Sequence, residues 1–247
     1  MEKAEAIVIR LADFSESSRV VTLFSKEFGK ISALAKGAKR LKGSFDAALD
    51  LLSQCRIVFI RKSSASLDLL TEARLAKRFR PASGSLTSLY GGYYVADLLC
   101  KLTEDYDPSP ELFDLAVRTL DDLADEQLDS ATTLVQFEVS LLQCIGVLAN
   151  LFECSICGKP IDVQDNVAFW VSQGGVICGT CRRPEFSGKS ISGSSIAILR
   201  QMTSDESVST DRPALTKQQT GECHRFAVSA ITGILGKQPG TLRYLDF

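Results

Sequence analysis

The chain has 247 residues, 45% of them hydrophobic, enough for one large core or two modest ones. No run approaches the roughly 18 apolar residues of a membrane span, and the opening MEKAEAIVIRLADF carries acids where a secretory signal needs a basic and then an apolar segment, so a cytoplasmic protein is expected. The net charge of −2 hides an asymmetry that favours a polyanion at one end: residues 1–80 hold 16 Lys/Arg against 9 Asp/Glu (+7), residues 81–153 hold 2 against 13 (−11), and residues 154–247 hold 10 against 8 (+2).

Along the chain, five short runs read as strands: AIVIRLA at 6–12, RVVTLFS at 19–25, KISALAK at 30–36, CRIVFIR at 55–61 and LDLLTEARL at 67–75. Several alternate and are rich in β-branched residues, with turn chemistry at Phe28-Gly29-Lys30 and in the serine-rich stretch 63–66. Five strands in so short a span predict a small barrel, of the OB-fold or the SH3-like kind. The stretch FRPASGSL at 79–86 reads as a linker, after which the periodicity becomes helical.

Ser109 with Pro110 opens a helix carrying Phe113, Ala116, Val117, Leu120 and Ala124 at helical spacing. Ser130 caps a second, with Leu134, Phe137, Leu141, Ile145 and Leu148 on one stripe and Gly146 as its weak point. Asp121, Asp122, Asp125, Glu126 and Asp129 lie off these stripes and read as a solvated face. Further helices are expected at about 194–202 and 217–235, separated by the polar loop 203–213.

Eight cysteines in a chain without an export signal point to metal binding or burial rather than disulfides. Cys55, Cys100, Cys144 and Cys223 lie singly and read as small buried hydrophobes. Cys154-Ser-Ile-Cys157 and Cys178-Gly-Thr-Cys181, separated by 20 residues, carry the strongest signal. Each CxxC forms a knuckle, and two knuckles complete a tetrahedron of thiolates; zinc is the expected ion and iron the alternative. Gly158 suits the tight knuckle turn, and Val167–Val171, 172–175 and Val176-Ile177 outline a hairpin, hence a zinc ribbon. A closed set of four sulfurs leaves no position for water or substrate, so the metal is expected to be structural. Lys159, Arg182 and Arg183 are placed to offset its negative charge.

Nucleic-acid binding is expected from the glycine-bearing basic run Lys30, Lys36, Lys39, Arg40 and Lys42, with Arg19, Arg74, Lys77 and Arg78 as secondary candidates. Phe24, Phe28, Phe45 and Phe79 are possible base-stacking rings, although phenylalanines of a small barrel are usually core. No catalytic set emerges. His224 is the single histidine and reads as structural, and Gly188-Lys189-Ser190 lacks both the upstream glycine and the strand of a phosphate-binding loop, so no nucleotide is expected.

The opening AIVIRLADFSESSRVVTLFSKEFGKISALAKGAKR resembles the start of the RecO family of recombination mediators, at Glu16, Ser17, Arg19, Gly29, Lys30, Ala35, Lys36 and Gly37. The resemblance continues through Leu75, the helices, the quartet with FWVSQGGVIC, and the tail GKQPGTLRYL. It implies an α+β multidomain protein: an OB-fold nucleic-acid-binding domain at 1–80, then an all-α domain at 81–153 and 187–247 with a four-cysteine zinc ribbon inserted at 154–186. It also implies a bacterial cytoplasmic protein, nucleoid-associated during repair, that is no enzyme. Such a protein binds single- and double-stranded DNA, anneals complementary strands and, with RecR, helps load a RecA-type recombinase onto DNA coated by single-strand-binding protein. The rival classes are a protein-interaction adaptor with a structural zinc site and little affinity for DNA and, second, an enzyme with the zinc ribbon as accessory, such as a nuclease or ligase fragment.

Overall fold

The computed structural model describes residues 1–40, 45, 48–62, 67–162, 167–170, 175–186, 190–203 and 214–245. The chain forms two compact units, one of Met1–Leu128 with Thr241–Leu245 and the other centred on Asp129–Gly240.

In the first unit, β1 (Glu2–Asp13), β2 (Arg19–Ser25), β3 (Gly29–Ala35), β4 (Gln54–Ile60) and β5 (Asp68–Lys77) make a closed barrel. Strand β1 serves two partners: Glu2–Ile7 pair with β4 and Ala6–Asp13 with β2. A register shift between Val8 and Arg10 supplies the bend this needs. The barrel closes where β3 meets β5 in parallel, from Ala33↔Asp68 to Ala35↔Leu70. The order β1-β2-β3-β5-β4 is that of an OB-fold; an SH3-like barrel, which joins consecutive strands antiparallel, does not produce it.

Alternation explains the interior. Ala4, Ala6 and Val8 of β1, Val21 and Leu23 of β2, Ile31, Ala33 and Ala35 of β3, Ile57 and Phe59 of β4, and Leu70 and Ala73 of β5 fill it, with Phe45 and Leu49 completing the cluster. The outward residues Ile7 and Ile9 are also buried, because α1 (Leu86–Leu102) lies against β1. This helix carries a Gly91-Gly92 pair and many aromatics, which is why no helical stripe announces it in the sequence. Its N-cap is Ser85, and α2 (Pro110–Ala124), capped by Ser109 as expected, packs beside it. The expected turn at 63–66 lies outside the described residues.

The second unit holds α3 (Ser130–Cys144), a three-stranded sheet of β6 (Val167–Trp170), β7 (Gly175–Ile177) and β8 (Ser190–Ile191), α4 (Gly193–Thr203) and α5 (Lys217–Leu235). Asp129, one residue before the expected Ser130, caps α3 by accepting from the Thr132 N–H at 2.8 Å. The helix stops at Gly146, whose φ of +71° glycine takes without strain, so the stripe expected to reach Leu148 ends early. Cys144, at the end of this helix, is exposed and Cys100 of α1 is half-buried, so only Cys55 and Cys223 of the four single cysteines are buried as expected. α3, α4 and α5 pack on one another, and a capping box of Thr216 and Gln219 starts α5. His224 is structural: its Nδ1 lies 2.9 Å from an Oε2 of Glu138, a residue with no exposed surface.

Glu222 ties α5 to the start of α4. Its carboxylate accepts from the Ser192 N–H at 2.8 Å, the Ser195 Oγ at 2.7 Å and the Gln218 Nε2 at 2.9 Å. Burial pushes the carboxyl up, but the Ser192 hydroxyl, the Gln218 amide, the Ser192 N–H and the Ser195 hydroxyl outweigh it and hold the pKa at about 2, against an ordinary 4.5. This contribution to stability is whole above about pH 4.5 and is lost as the pH falls toward 2. Glu222→Gln is therefore expected to lower the stability of this unit by about 2 kcal/mol at neutral pH and to flatten its acid limb. Unfolding followed through Trp170, the single tryptophan, checks both effects, and equal acid limbs in the two proteins would refute this role.

Candidate metal centre and nucleic-acid interface

The four clustered cysteines come from two turns that the fold locks together. In the first knuckle the Gly158 N–H donates to the Cys154 carbonyl at 2.9 Å, with Gly158 at φ +68°, as the sequence anticipates. In the second, the Cys181 N–H donates to the Cys178 carbonyl at 3.1 Å. The knuckles meet through the Cys178 N–H, which donates to the Cys154 sulfur at 3.4 Å, and through the Ser155 N–H, which donates to the Val176 carbonyl at 2.9 Å. All four Sγ atoms lie within 4.8 Å of one another, and those of Cys157 and Cys178 are 3.8 Å apart. A tetrahedron with metal–sulfur bonds of about 2.3 Å has sulfur–sulfur edges of about 3.8 Å, so the quartet fits a four-thiolate metal site.

Electrostatics favour the same reading. Burial raises the Cys154 thiol, but the N–H groups of Cys178, Cys157 and Ile156 reverse the shift and bring it down to about 6. The Cys157 side chain, followed by burial, pushes Cys181 up to about 12. A cation is the natural relief for four sulfurs held so close. The ribbon is fixed to the helices by Arg200 of α4, whose guanidinium donates to the carbonyls of Leu151 (2.8 Å) and Ile161 (3.0 Å) and stacks on Phe152. That clamp and strand β8 have no signature in the sequence. The Arg182 guanidinium donates to the Ser190 Oγ at 2.6 Å, and Arg183 lies 3.8 Å from Glu185.

The expected DNA-binding residues fall into three groups. Arg19, Lys36, Lys39 and Arg40 gather at one end of the barrel, where the β1–β2 loop meets the turn after β3. Arg19 pairs in register with Ala35, which precedes Lys36. The Lys39 N–H donates to the Ser17 carbonyl at 3.1 Å, and its ammonium reaches the Ser15 carbonyl at 3.1 Å and Asp13 at 3.0 Å. Arg19 lies 3.3 Å from the same carboxylate, which Lys39 above all holds below its ordinary pKa. Lys36 and Arg40 are exposed, and Lys42 lies outside the described residues.

Lys30 is committed elsewhere. Its ammonium donates to the Cys100 carbonyl at 3.0 Å and to that of Thr103, where α1 ends, and lies 3.6 Å from Asp105. A cation at the negative end of a helix is a structural contact. Arg74 and Lys77 sit on the β4–β5 face, Arg74 directly opposite Arg56 and Lys77 paired with Asp121 of α2 at 2.7 Å; Arg78 is exposed just beyond β5. Lys26 pairs with Asp114 at 2.8 Å. Part of the acidic surplus of α2 thus answers basic residues of the barrel.

None of the four phenylalanines offered for stacking presents an open ring. Phe24 is fully buried beside Phe113, Phe28 packs edge-on to Phe59 with centroids 5.4 Å apart, Phe45 is in the barrel core, and Phe79 lies against Gly92 of α1. Among the described phenylalanines of the barrel, the exposed ring is that of Phe14, 62% exposed at the start of the β1–β2 loop. No described helix is long and apolar enough to cross a membrane.

Comparison with known proteins agrees with this architecture. Residues 1–79 match the family model of the recombination protein O N terminal, and residues 83–243 that of its C terminal. The DNA repair protein RecO of Rhodopirellula baltica is 42% identical over 201 residues, 81% of this chain and 74% of that protein. That of Halalkalibacterium halodurans is 33% identical over 198 residues, covering 80% and 76%. The RecO of Anaeromyxobacter dehalogenans is 28% identical over 244 residues, 99% of this chain and 95% of its own. With an OB barrel at its start, a helical second unit and a four-cysteine cluster, the chain belongs to the RecO family of DNA repair proteins.

Proposed function

We propose that the protein is a non-enzymatic recombination mediator that works in the cytoplasm, on the nucleoid during repair. It binds single- and double-stranded DNA through the barrel, anneals complementary strands and, with RecR, helps load a RecA-type recombinase onto DNA coated by single-strand-binding protein. The observation that carries the DNA step is the convergence of Arg19, Lys36, Lys39 and Arg40 on the β1–β2 loop, a ligand-binding loop of OB-folds. In this reading residues 1–80 are the nucleic-acid module and 154–186 a zinc ribbon serving the fold. Lys42 extends the cation cluster, Arg74, Lys77 and Arg78 make a weaker second track, and Lys30 serves structure. Neutralising phosphates while leaving bases open lowers the repulsion between two strands, so annealing needs no covalent step and no nucleotide.

For the protein partners the support is family membership and one cavity. In the second unit an apolar pocket of about 250 Å³ is lined by Val147, Phe169, Trp170, Phe226 and Ala230, suited to an aromatic side chain such as that of the acidic tail of single-strand-binding protein.

Neutralising Lys36, Arg40 and Lys42 to glutamine, while keeping Lys39 to hold the loop, is expected to reduce the slope of log affinity against log salt by about 2 to 3 and to abolish annealing of complementary oligonucleotides. Titrations at several salt concentrations check this, and an unchanged slope would remove the cluster from the footprint. An intact protein that anneals nothing yet still captures RecR would establish the adaptor instead.

A further inference from the structure

The β1–β2 loop is small and internally fixed. The N–H groups of Phe14 and Ser15 both donate to the Ser18 carbonyl, at 3.1 and 3.2 Å, and the Ser18 N–H returns to the Ser15 hydroxyl at 3.2 Å. Lys39 then bolts the loop to the turn after β3 through Ser15, Ser17 and Asp13. This frame holds the Phe14 ring in water, 62% exposed, although an interior cluster of buried side chains lies a few residues away. A single exposed apolar residue is common on protein surfaces. Here it stands on an ordered loop, at the end of the barrel where Arg19 and Lys39 hold Asp13 and where Lys36 and Arg40 are exposed, so an exposed apolar ring and exposed cations belong to the same end of the barrel.

The ligand with complementary parts is an unpaired nucleotide, which offers a π-face for the ring and a phosphate for the cations. We propose that Phe14 is a base-stacking residue that adds affinity for single-stranded DNA and none for duplex. The inference rests on the DNA-binding reading and adds to it a residue that distinguishes the two forms. Bases in a duplex already stack on one another, so they are closed to Phe14, whereas the cations meet phosphates in both forms.

The test compares the intact protein with Phe14→Ala, Phe14→Leu and Phe14→Trp, binding a labelled oligothymidylate and a labelled duplex across a series of salt concentrations. Phe14→Ala is expected to weaken single-strand binding about ten- to a hundred-fold, leaving duplex affinity within about two-fold and both salt slopes unchanged. Phe14→Leu keeps apolar bulk without a π-face and is expected to resemble the alanine variant. Phe14→Trp is expected to bind single strands as the native protein does, with its emission quenched by oligothymidylate and untouched by duplex. Equal single-strand affinity in the native and alanine proteins would overturn the stacking role while leaving DNA binding intact, as would equal losses on both DNA forms. A native protein that binds neither form at low salt would overturn the DNA-binding reading itself.

Discussion

Replacing Cys154 and Cys178 together by serine is expected to take the metal content from one ion per chain to none and to unfold the ribbon. Structural zinc contributes roughly 10–16 kcal/mol to the folding of small four-ligand modules, as much as the whole stability of a typical domain. Apart from the Arg200 clamp and the packing of Phe169 on Phe226 the ribbon has little else: its strands are short, and few apolar residues, Val167, Val176 and Ile177 among them, are buried in its sheet. Trp170 ends β6, so its emission is expected to shift to the red in the double variant, and equally in the native protein stripped by a chelator. The barrel, and the DNA affinity proposed for it, are expected to persist. Elemental analysis identifies the ion and a colourless protein separates zinc from iron; a metal-free protein with native emission and an unchanged melting temperature would show that the quartet does not support the fold.

The second large effect is expected at Gly29, where Gly29→Ala should cost about 3 to 5 kcal/mol of stability. Gly29 has φ +68°, a region that costs an L-residue about 1–2 kcal/mol. A Cβ there would also lie 2.1 Å from the carbonyl oxygen of Asp107 and 2.5 Å from its carbon. Both are backbone atoms, so relief requires moving the segment between α1 and α2 off the barrel. That segment is held by the Tyr106 N–H to the Lys30 carbonyl at 3.0 Å, by the Tyr106 hydroxyl to the buried Asp68, and by Arg61 stacked 3.8 Å over the Tyr106 ring. Asparagine tolerates positive φ but carries the same Cβ, so Gly29→Asn is expected to lose nearly as much. Denaturant unfolding followed by circular dichroism checks the pair, and a rescue by asparagine would assign the cost to φ rather than to the close approach.

Much of this organisation is legible in the sequence where the signal is local. The two CxxC pairs announce the metal site because their spacing is itself the chemistry. The five strands show in their alternation, and α5 begins at Lys217 and ends at Leu235 as its period indicates. Barrel closure is not legible, since the parallel pairing of Ala33–Ala35 with Asp68–Leu70 is long-range and strand counts do not fix order. Charge misleads for the same reason. Lys30 reads as one cation of a basic run until the carbonyls of Cys100 and Thr103 arrive from α1 to engage it, and Lys26 and Lys77 find Asp114 and Asp121 of α2 only in the folded barrel unit. Phe14 escapes notice because exposure is a property of the loop that carries it.

The return of Thr241–Leu245 to the first unit bears on how the protein is made. Tyr244 stacks on Tyr90 of α1 with ring centroids 5.0 Å apart, and the Thr241 hydroxyl donates to Asp97 at 3.0 Å. The barrel and its two helices leave the ribosome first, yet the contacts that complete their surface belong to residues translated after the whole of Asp129–Gly240. During synthesis Tyr90 therefore lacks the stacked ring of Tyr244, and Asp97 its bond from Thr241, until the ribbon and the last helix have emerged.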